Sequence, residues 1–157
     1  MVAAAHRISR GSDFDRTLKT GVRVTTRDLV VHVLPMAGSP VPVRGSSADV
    51  RGGVVSADIA TVGGPWLGLI VSKAVGNAVV RHRTARRLRA AFRDCVPRFQ
   101  IRETMLVIRA RPSAAGCSSL DLADQIADAL TRRRAREVFD AARAIRRTHE
   151  QTETQVP

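Results

Sequence analysis

The chain has very few aromatic residues. Its 157 residues include no tyrosine, one tryptophan and four phenylalanines, so aromatic residues make up 3% of the sequence. Proteins that bind single-stranded nucleic acid on a broad platform stack successive bases on exposed aromatic side chains. The composition argues against such a platform, and any stacking of bases must depend on a few positions.

Cysteine is also scarce. Cys95 and Cys117 are the two cysteines, and neither has a histidine at the close spacing of a zinc site, so we predict reduced, structural thiols. The histidines and carboxylates are dispersed, and the sequence therefore predicts no catalytic residue and no metal ligand. Asp13 and Asp15 could hold metal ions in a nuclease, but two acids in a first helical turn more often complement the helix dipole.

Long apolar runs are absent as well. No run approaches the roughly 20 residues that span a bilayer, and the N-terminus lacks the basic-then-apolar pattern of a signal peptide. We therefore expect a cytoplasmic protein with no membrane partner. The length fits one domain with a loose end.

Positive charge is what the sequence has in excess. The formal net charge is +12 and the pI is about 11.6, and most of the basic residues are arginine. Arginine grips phosphate through paired hydrogen bonds and stacks on bases, which favours RNA or DNA over a membrane surface. No acidic residue occurs from Lys73 to Arg93. This imbalance predicts a polyanion partner, of which nucleic acid is the commonest.

The remaining pattern predicts a mixed α and β domain. A short helix with Ser12 as its N-cap ends at Gly21. Apolar, β-branched runs predict strands at 22–25, 29–34, 66–71 and 105–110. Between the second and third strands, residues 36–65 are rich in glycine, proline and serine and are typical of an insertion loop.

The C-terminal part has helical periodicity. Ser118 and Ser119 precede an amphipathic helix, which continues or restarts after a cluster of three arginines at 132–134. We predict a domain over residues 1–135, followed at 136–157 by a basic helical extension whose polar tail beyond Thr148 is disordered.

The basic helix that follows the third strand has two faces. At about 100° per residue, its apolar side contains Ala85, Leu88, Ala91, Phe92 and Cys95. The remaining arc holds Arg83, Arg86, Arg87, Arg89 and Arg93. Such a helix can bury one face and present several guanidinium groups to a phosphate backbone. Arg81 lies in the first turn, whose free amides also suit a phosphate oxygen.

Motifs along this helix, with their order and spacing, resemble the signature of the bacterial ribonuclease P protein subunit. They are Ser72-Lys73, Gly76-Asn77-Ala-Val79, Arg81-x-Arg83 and Arg86-Arg87-Leu-Arg89. The flanking elements agree, with Asp13-Phe14 in the first helix and Ala110-Arg-Pro112 at the end of the last strand. The resemblance covers roughly residues 7–134.

The resemblance implies an α+β fold and a role within a ribonucleoprotein. The implied fold is an αβββαβα two-layer sandwich with a central β-sheet and a left-handed βαβ crossover, like the second domain of ribosomal protein S5. The general handedness rule would have predicted a right-handed crossover. The implied partners are a catalytic RNA and precursor tRNA, without an obligate protein partner. The resemblance further implies an endoribonuclease in which the RNA subunit, with Mg²⁺ held mainly by RNA and substrate, removes the 5′ leader, while the protein alone is inactive.

The resemblance also implies roles for individual residues. The catalytic RNA would be bound by Arg81, His82, Arg83, Arg86, Arg87, Arg89 and Arg93. The leader of precursor tRNA would lie in a cleft that contains Phe14, Leu18, His32 and Lys73. His82 stands where the family usually has asparagine, Ala85 where lysine is frequent, and Leu18 and His32 where many relatives have aromatic residues. Leader stacking would therefore rest mainly on Phe14.

Two other functions fit the charge alone. One is a general or ribosomal RNA-binding protein without an enzymatic role, and the other is an architectural DNA-binding protein. Ribosome association would favour the first, and preference for duplex DNA over structured RNA would favour the second.

Overall fold

The computed structural model describes residues 7–8, 11–36 and 64–154. The elements in chain order are α1 (Gly11–Thr20), β1 (Val22–Thr25), β2 (Leu29–Pro35), β3 (Trp66–Ile70), α2 (Ala78–Cys95), β4 (Thr104–Ala110), α3 (Ser119–Thr131) and α4 (Arg133–Thr154). This order confirms the predicted helices and strands, including the helix that restarts at the arginine cluster of 132–134. The predicted insertion loop at 36–65 lies almost wholly outside the described residues.

The four strands form one mixed sheet with the order β1-β2-β4-β3. Strand β2 pairs antiparallel with both β1 and β4, whereas β3 and β4 are parallel. Since parallel neighbours need a crossover connection, α2 completes a βαβ unit between them. The α+β class is therefore confirmed. The left-handed sense of the crossover and the closer likeness to ribosomal protein S5 stay predictions.

The inner face of the sheet carries the main hydrophobic core. Alternate residues of the central strands, such as Val31 and Leu106, are fully buried there, as the two-residue period of a strand requires. Helices α2, α3 and α4 cover this face, each through an apolar stripe. The most deeply buried large side chains from these helices are Leu88, Phe92, Leu122, Ile126 and Phe139.

Helix α4 belongs to this core and extends farther than the sequence indicated. Arg132 has an extended backbone (φ −61°, ψ 149°), so the chain breaks helix α3 there and restarts. Phe139 and Ala142 are buried in the main core, so the first half of the predicted extension packs with the domain. The helix then continues to Thr154, whereas we predicted a disordered tail beyond Thr148. Within this last part of the helix, the Thr152 hydroxyl donates to the Thr148 carbonyl at 2.9 Å.

Helix α1 lies on the outer face of the sheet. Its first turn includes Gly11 and Ser12, so Ser12 lies inside the helix and the predicted N-cap role is wrong. Thr17 is fully buried beneath the helix. Its hydroxyl donates to the Asp13 carbonyl at 2.8 Å and lies 3.7 Å from Met105 Sδ. This internal hydrogen bond explains why a polar residue can face the sheet.

A buried polar cluster joins the β1–β2 turn to α3. The Asp28 carboxylate accepts hydrogen bonds from Gln125 Nε2 at 2.7 Å and from Cys117 Sγ at 3.1 Å. Gln125 Oε1 in turn accepts from the Asp28 amide and from the Thr26 hydroxyl. Hydrogen bonding, with the largest contribution from Ser113, holds the pKa of Asp28 below its usual range despite its burial. The cluster fixes α3 against the end of the sheet.

Candidate nucleic-acid interface

The turn into α2 positions its first residues. Gly76 has φ +154°, and a Cβ at this position would lie 2.8 Å from Val80 Cγ1, so the turn requires glycine. Asn77 is the N-cap, and its side chain accepts a hydrogen bond from the Val80 amide at 2.9 Å. The sequence motif that contains these two residues therefore has a structural role at the start of the basic helix.

The buried face of α2 differs at one position from the sequence prediction. Leu88, Ala91, Phe92 and Cys95 are buried as expected, but Ala85 is only half-buried and Thr84 is buried instead. The Thr84 hydroxyl donates to the Val80 carbonyl at 2.9 Å, so its burial leaves no hydroxyl unsatisfied. The helix is thus rotated slightly from the predicted orientation.

The opposite face of α2 consists of basic side chains, which we call the arginine face. Its exposed members are His82, Arg83, Arg86 and Arg93. None of these side chains forms a hydrogen bond or ion pair with another residue in the described ranges. Together with Arg89 and the 72% exposed Val79, the first three line an open concavity of about 730 Å³. Unpaired, solvated guanidinium groups remain available for phosphate oxygens.

Three other predicted cations on α2 are half-buried. Arg87 Nη1 donates to the Cys117 carbonyl at 3.0 Å, so part of this side chain ties α2 to the segment before α3. Arg81 Nε is buried and has no hydrogen-bond partner among the described residues. Arg89 lies on the side of the helix that faces β3 and lines a second pocket there. The predicted set of seven RNA-binding residues is therefore contiguous along one helix but not uniform in exposure.

Two of the predicted cleft residues, Phe14 and His32, lie on the outer face of the sheet. His32 pairs with Val107, and Val107 pairs on its other side with Gly68, so these residues lie side by side across β2, β4 and β3. The Phe14 ring lies on Gly68, where a Cβ would approach Phe14 Cε2 to 2.6 Å. Phe14 and His32 are thus on one face of the sheet, about 10 Å apart by the spacing of two strands.

The other two predicted cleft residues lie at the borders of this face. Leu18 is half-buried on α1, one helical turn after Phe14. Lys73 is exposed in a short 3-10 turn just after β3. The structure therefore places these residues around α1 and the outer sheet face, and their joint role as a cleft for the leader stays a prediction.

Two arginines that the sequence did not single out line the same face. Arg23 pairs directly with His32, and Arg109 lies two residues beyond Val107 on β4, so both point outward with His32. Both are exposed. Arg109 is the one cation in the otherwise apolar strand β4, and this was the only sign of it in the sequence. Its place beside His32 became clear only from the pairing of the strands.

These neighbours determine the charge state of His32. Burial, followed by the positive charges of Arg23 and Arg109, lowers the pKa of His32 below its ordinary value. Its Nδ1 is buried and has no hydrogen-bond partner among the described residues. A neutral imidazole in this position can both donate and accept a hydrogen bond.

Burial also governs the two cysteines. Both are free thiols in the described part of the chain. Burial raises the pKa of Cys117 to about 11 and also raises that of Cys95, so both are protonated near neutral pH. Within the described ranges, no three His, Cys, Asp or Glu side chains are grouped to hold a metal ion. Among the same residues, no helix is long and apolar enough to cross a bilayer.

Comparison with known proteins identifies a family match over most of the chain. A family model described as Ribonuclease P matches residues 2–134. The ribonuclease P protein component of Rhodococcus opacus is 44% identical over 132 residues, which cover 84% of this chain and 91% of that protein. That of Nocardia farcinica is 43% identical over 135 residues, covering 83% and 81%. Residues after 134, which include nearly all of α4, lie outside the family model.

Solved structures agree with the fold. The ribonuclease P protein of Staphylococcus aureus superimposes with a TM-score of 0.55 at 25% identity, over 80% of this chain and 92% of that one. The Thermotoga maritima protein, in complex with 1-(4-fluorophenyl)-2-thiourea, gives a TM-score of 0.56 over 80% and 98% of the two chains. At 17% identity, this second likeness concerns the fold alone.

Proposed function

The chain belongs to the ribonuclease P protein family, whose members are protein subunits of the enzyme that forms tRNA 5′ ends. We therefore propose that its two basic surfaces bind two different RNAs. The arginine face of α2 binds the catalytic RNA. The cleft between α1 and the outer sheet face binds the 5′ leader of precursor tRNA. Both assignments rest on the family resemblance together with the geometry of the described residues.

The charge arrangement of α2 supports the first assignment. Arg83, Arg86 and Arg93 project into solvent from a helix whose opposite side is fixed in the core. A rigid helix holds the guanidinium groups at a fixed spacing, so binding loses little conformational entropy of the backbone. Duplex and folded RNA are recognised mainly by shape and phosphate position, which such a helix can match.

The second assignment depends on the outer sheet face. Phe14 offers a ring edge beside the strand backbone, while Arg23, Arg109 and Lys73 provide cations around the neutral His32. A single-stranded leader needs both features, because bases stack on apolar side chains and phosphates need positive charge. Leu18 supplies apolar surface but no ring, which limits stacking to fewer bases.

We further propose that phosphodiester hydrolysis is carried out by the RNA subunit. Mg²⁺, held mainly by RNA and substrate, supplies the metal-ion chemistry of that step, and the residues of this chain bind and orient RNA. Activity in the cytoplasm, where precursor tRNA is matured in bacteria, is part of the same proposal. The single observation that most strongly supports the role in RNA binding is the unpaired arginine face, which lies on the helix with the family signature.

Reconstitution with the cognate RNA tests this function. We expect the purified protein alone to leave precursor tRNA intact and to increase cleavage by the RNA at low magnesium concentration. The product should be mature tRNA with its leader removed. Cleavage by the RNA-free protein, or no change in RNA-dependent cleavage when the protein is added, would contradict the proposal.

A further inference from the structure

The N-terminal segment forms a small pocket together with α1, β3 and α2. Its volume is about 250 Å³, comparable to one nucleotide base with its sugar, and its lining includes two cationic residues, Arg7 and Arg89. Its lining also includes Phe14 and, from the edge strand β3, Gly68 and the buried residue Leu67. The pocket lies where the leader cleft meets the arginine face of α2.

Backbone hydrogen bonding fixes the position of Arg7. Residue 7 forms an isolated parallel bridge with Leu67, and the Ile8 amide donates to the Leu67 carbonyl at 3.0 Å. These contacts add a short extended segment to the edge of β3. The Arg7 side chain is exposed, and it has no hydrogen bond or ion pair with any residue in the described ranges. The backbone, not an acidic partner, therefore holds this cation at the pocket.

Arg89 approaches the same pocket from the opposite side. It is half-buried on α2, and its side chain also makes no hydrogen bond or ion pair within the described part of the chain. Two like charges around one pocket repel each other unless an anion lies between them. A phosphate between the two guanidinium groups would offset this repulsion and accept charge-assisted hydrogen bonds from both.

The lining of the pocket suits the base of a nucleotide. Gly68 has no side chain, so the Phe14 ring lies directly on the β3 backbone and leaves its other surface towards the pocket. Any of the four bases can stack on an aromatic ring, because every base has a π face. An aromatic ring and two cations that line one pocket together fit one nucleotide of an RNA chain.

We propose that this pocket binds a single nucleotide of RNA, with its phosphate held between Arg7 and Arg89 and its base on the Phe14 ring. The site rests on the proposed function, since it connects the surface assigned to the leader with the surface assigned to the catalytic RNA. Its nucleotide comes from one of these two RNAs. Arg7 then becomes an RNA-binding residue that lies outside the signature helix.

The test uses R7Q, with R98Q as a matched control. Arg98 is also an exposed arginine, lies outside the pocket, and loses the same charge on substitution. Binding is measured for catalytic RNA with the protein, and for precursor tRNA with the reconstituted holoenzyme, using substrates with and without a leader. R7Q should raise one of these Kd values about tenfold, as expected for one charge-assisted hydrogen bond.

The affected Kd identifies the source of the nucleotide. A loss confined to leader-bearing substrate assigns it to the leader, and a loss in catalytic-RNA binding assigns it to the subunit RNA. If one phosphate contacts both arginines, the R7Q/R89Q double variant should lose less than the product of the two single losses. Equal Kd values for R7Q and R98Q in every assay would overturn the proposal that the pocket binds a nucleotide. Failure of the wild-type protein to stimulate cleavage would instead overturn the proposed function.

Discussion

Helices α2 and α4 are both rich in arginine, but they use it differently. On α4, three of the six arginines form ion pairs: Arg133 with Glu137 at 2.9 Å, Arg143 with Asp140, and Arg146 with Glu103 at 2.7 Å. On α2, the exposed arginines have no acidic partner among the described residues. The number of arginines is therefore a poor guide to a binding surface. The informative property is a set of unpaired cations that line one continuous surface, as His82, Arg83 and Arg86 do on α2.

The comparison also separates binding from stability. Helix α4 lies beyond the family model, yet it contributes Phe139 and Ala142 to the core and is tied to the turn before β4. Helix α2 contributes to the same core, but it leaves a whole face uncovered. We infer that α4 stabilises the sheet on which α2 packs, whereas the exposed cations of α2 bind RNA. The following substitutions test these two roles.

The largest effect should come from removing charge on α2. We expect the triple variant R83Q/R86Q/R93Q to bind catalytic RNA roughly a thousandfold more weakly, at about tenfold for each lost phosphate contact. The matched variant R133Q/R143Q/R146Q removes the same charge from α4 and should change this affinity by less than about threefold. Equilibrium binding at one salt concentration compares them. Similar losses for both would mean that only total charge matters.

Loss of the α4 core contact should have the next largest effect. Phe139→Ala removes a fully buried ring and should lower the free energy of unfolding by about 3 kcal/mol or more. Urea denaturation measures this change. Ile145→Ala, on the half-exposed side of the same helix, is the control and should cost less than about 0.5 kcal/mol. If Phe139→Ala were equally mild, α4 would be dispensable for the fold.

An intermediate effect should come from the cluster under the β1–β2 turn. Asp28→Asn keeps the shape but presents an amide where two donors point, and we expect a loss of about 2 kcal/mol at neutral pH. The folded-state pKa of Asp28 is lowered, so its stabilisation is present above the unfolded pKa of about 4 and is lost as pH falls through the folded value.

Denaturation of wild type and Asp28→Asn across this pH range measures that linkage. The difference between them should be largest near pH 7 and should shrink below pH 4. A constant difference down to pH 2 would show that the Asp28 charge contributes nothing. RNA affinity of the folded protein should be unchanged, because Arg87 bonds the backbone of Cys117 and not the Asp28 side chain, and the exposed side chains of the arginine face do not contact the cluster.

The smallest effect should come from the surface ion pairs of α4. Arg146 and Glu103 are partly exposed, so solvent screens their attraction, and R146Q should cost about 0.5 kcal/mol. Unfolding measurements at low and high salt detect this, since the cost should fall as salt rises. A loss above about 2 kcal/mol would show that the pair anchors the helix more firmly than a surface contact can.

The sequence predicted local features better than contacts between distant segments. The period of α2 predicted Leu88, Phe92 and Cys95 as buried, because helix geometry is set by neighbouring residues. It missed Thr84, since a hydroxyl bonded within its own helix is not recognisable as a core group. The serine cap of α3 was predicted correctly, with Ser118 and Asp121 forming a capping box.

The candidate site was predictable only where one helix contains it. The roles predicted for the α2 cations and for the cleft residues stay predictions, although the structure brings Phe14 and His32 onto one sheet face. Arg7, Arg23 and Arg109 were not found, because strand pairing brings them to this region from separate parts of the chain. The bond from Arg87 to the Cys117 carbonyl was hidden for the same reason.

The salt dependence of catalytic-RNA binding tests the central claim most directly, because the slope of log K against log salt counts displaced counterions. We predict that R83Q/R86Q/R93Q reduces the magnitude of this slope by about two to three relative to wild type, since each lost phosphate contact contributes about 0.7 to 0.9. The α4 variant R133Q/R143Q/R146Q should leave the slope unchanged. Equal slopes for the wild type and the α2 variant, or an equal decrease in both variants, would contradict the account.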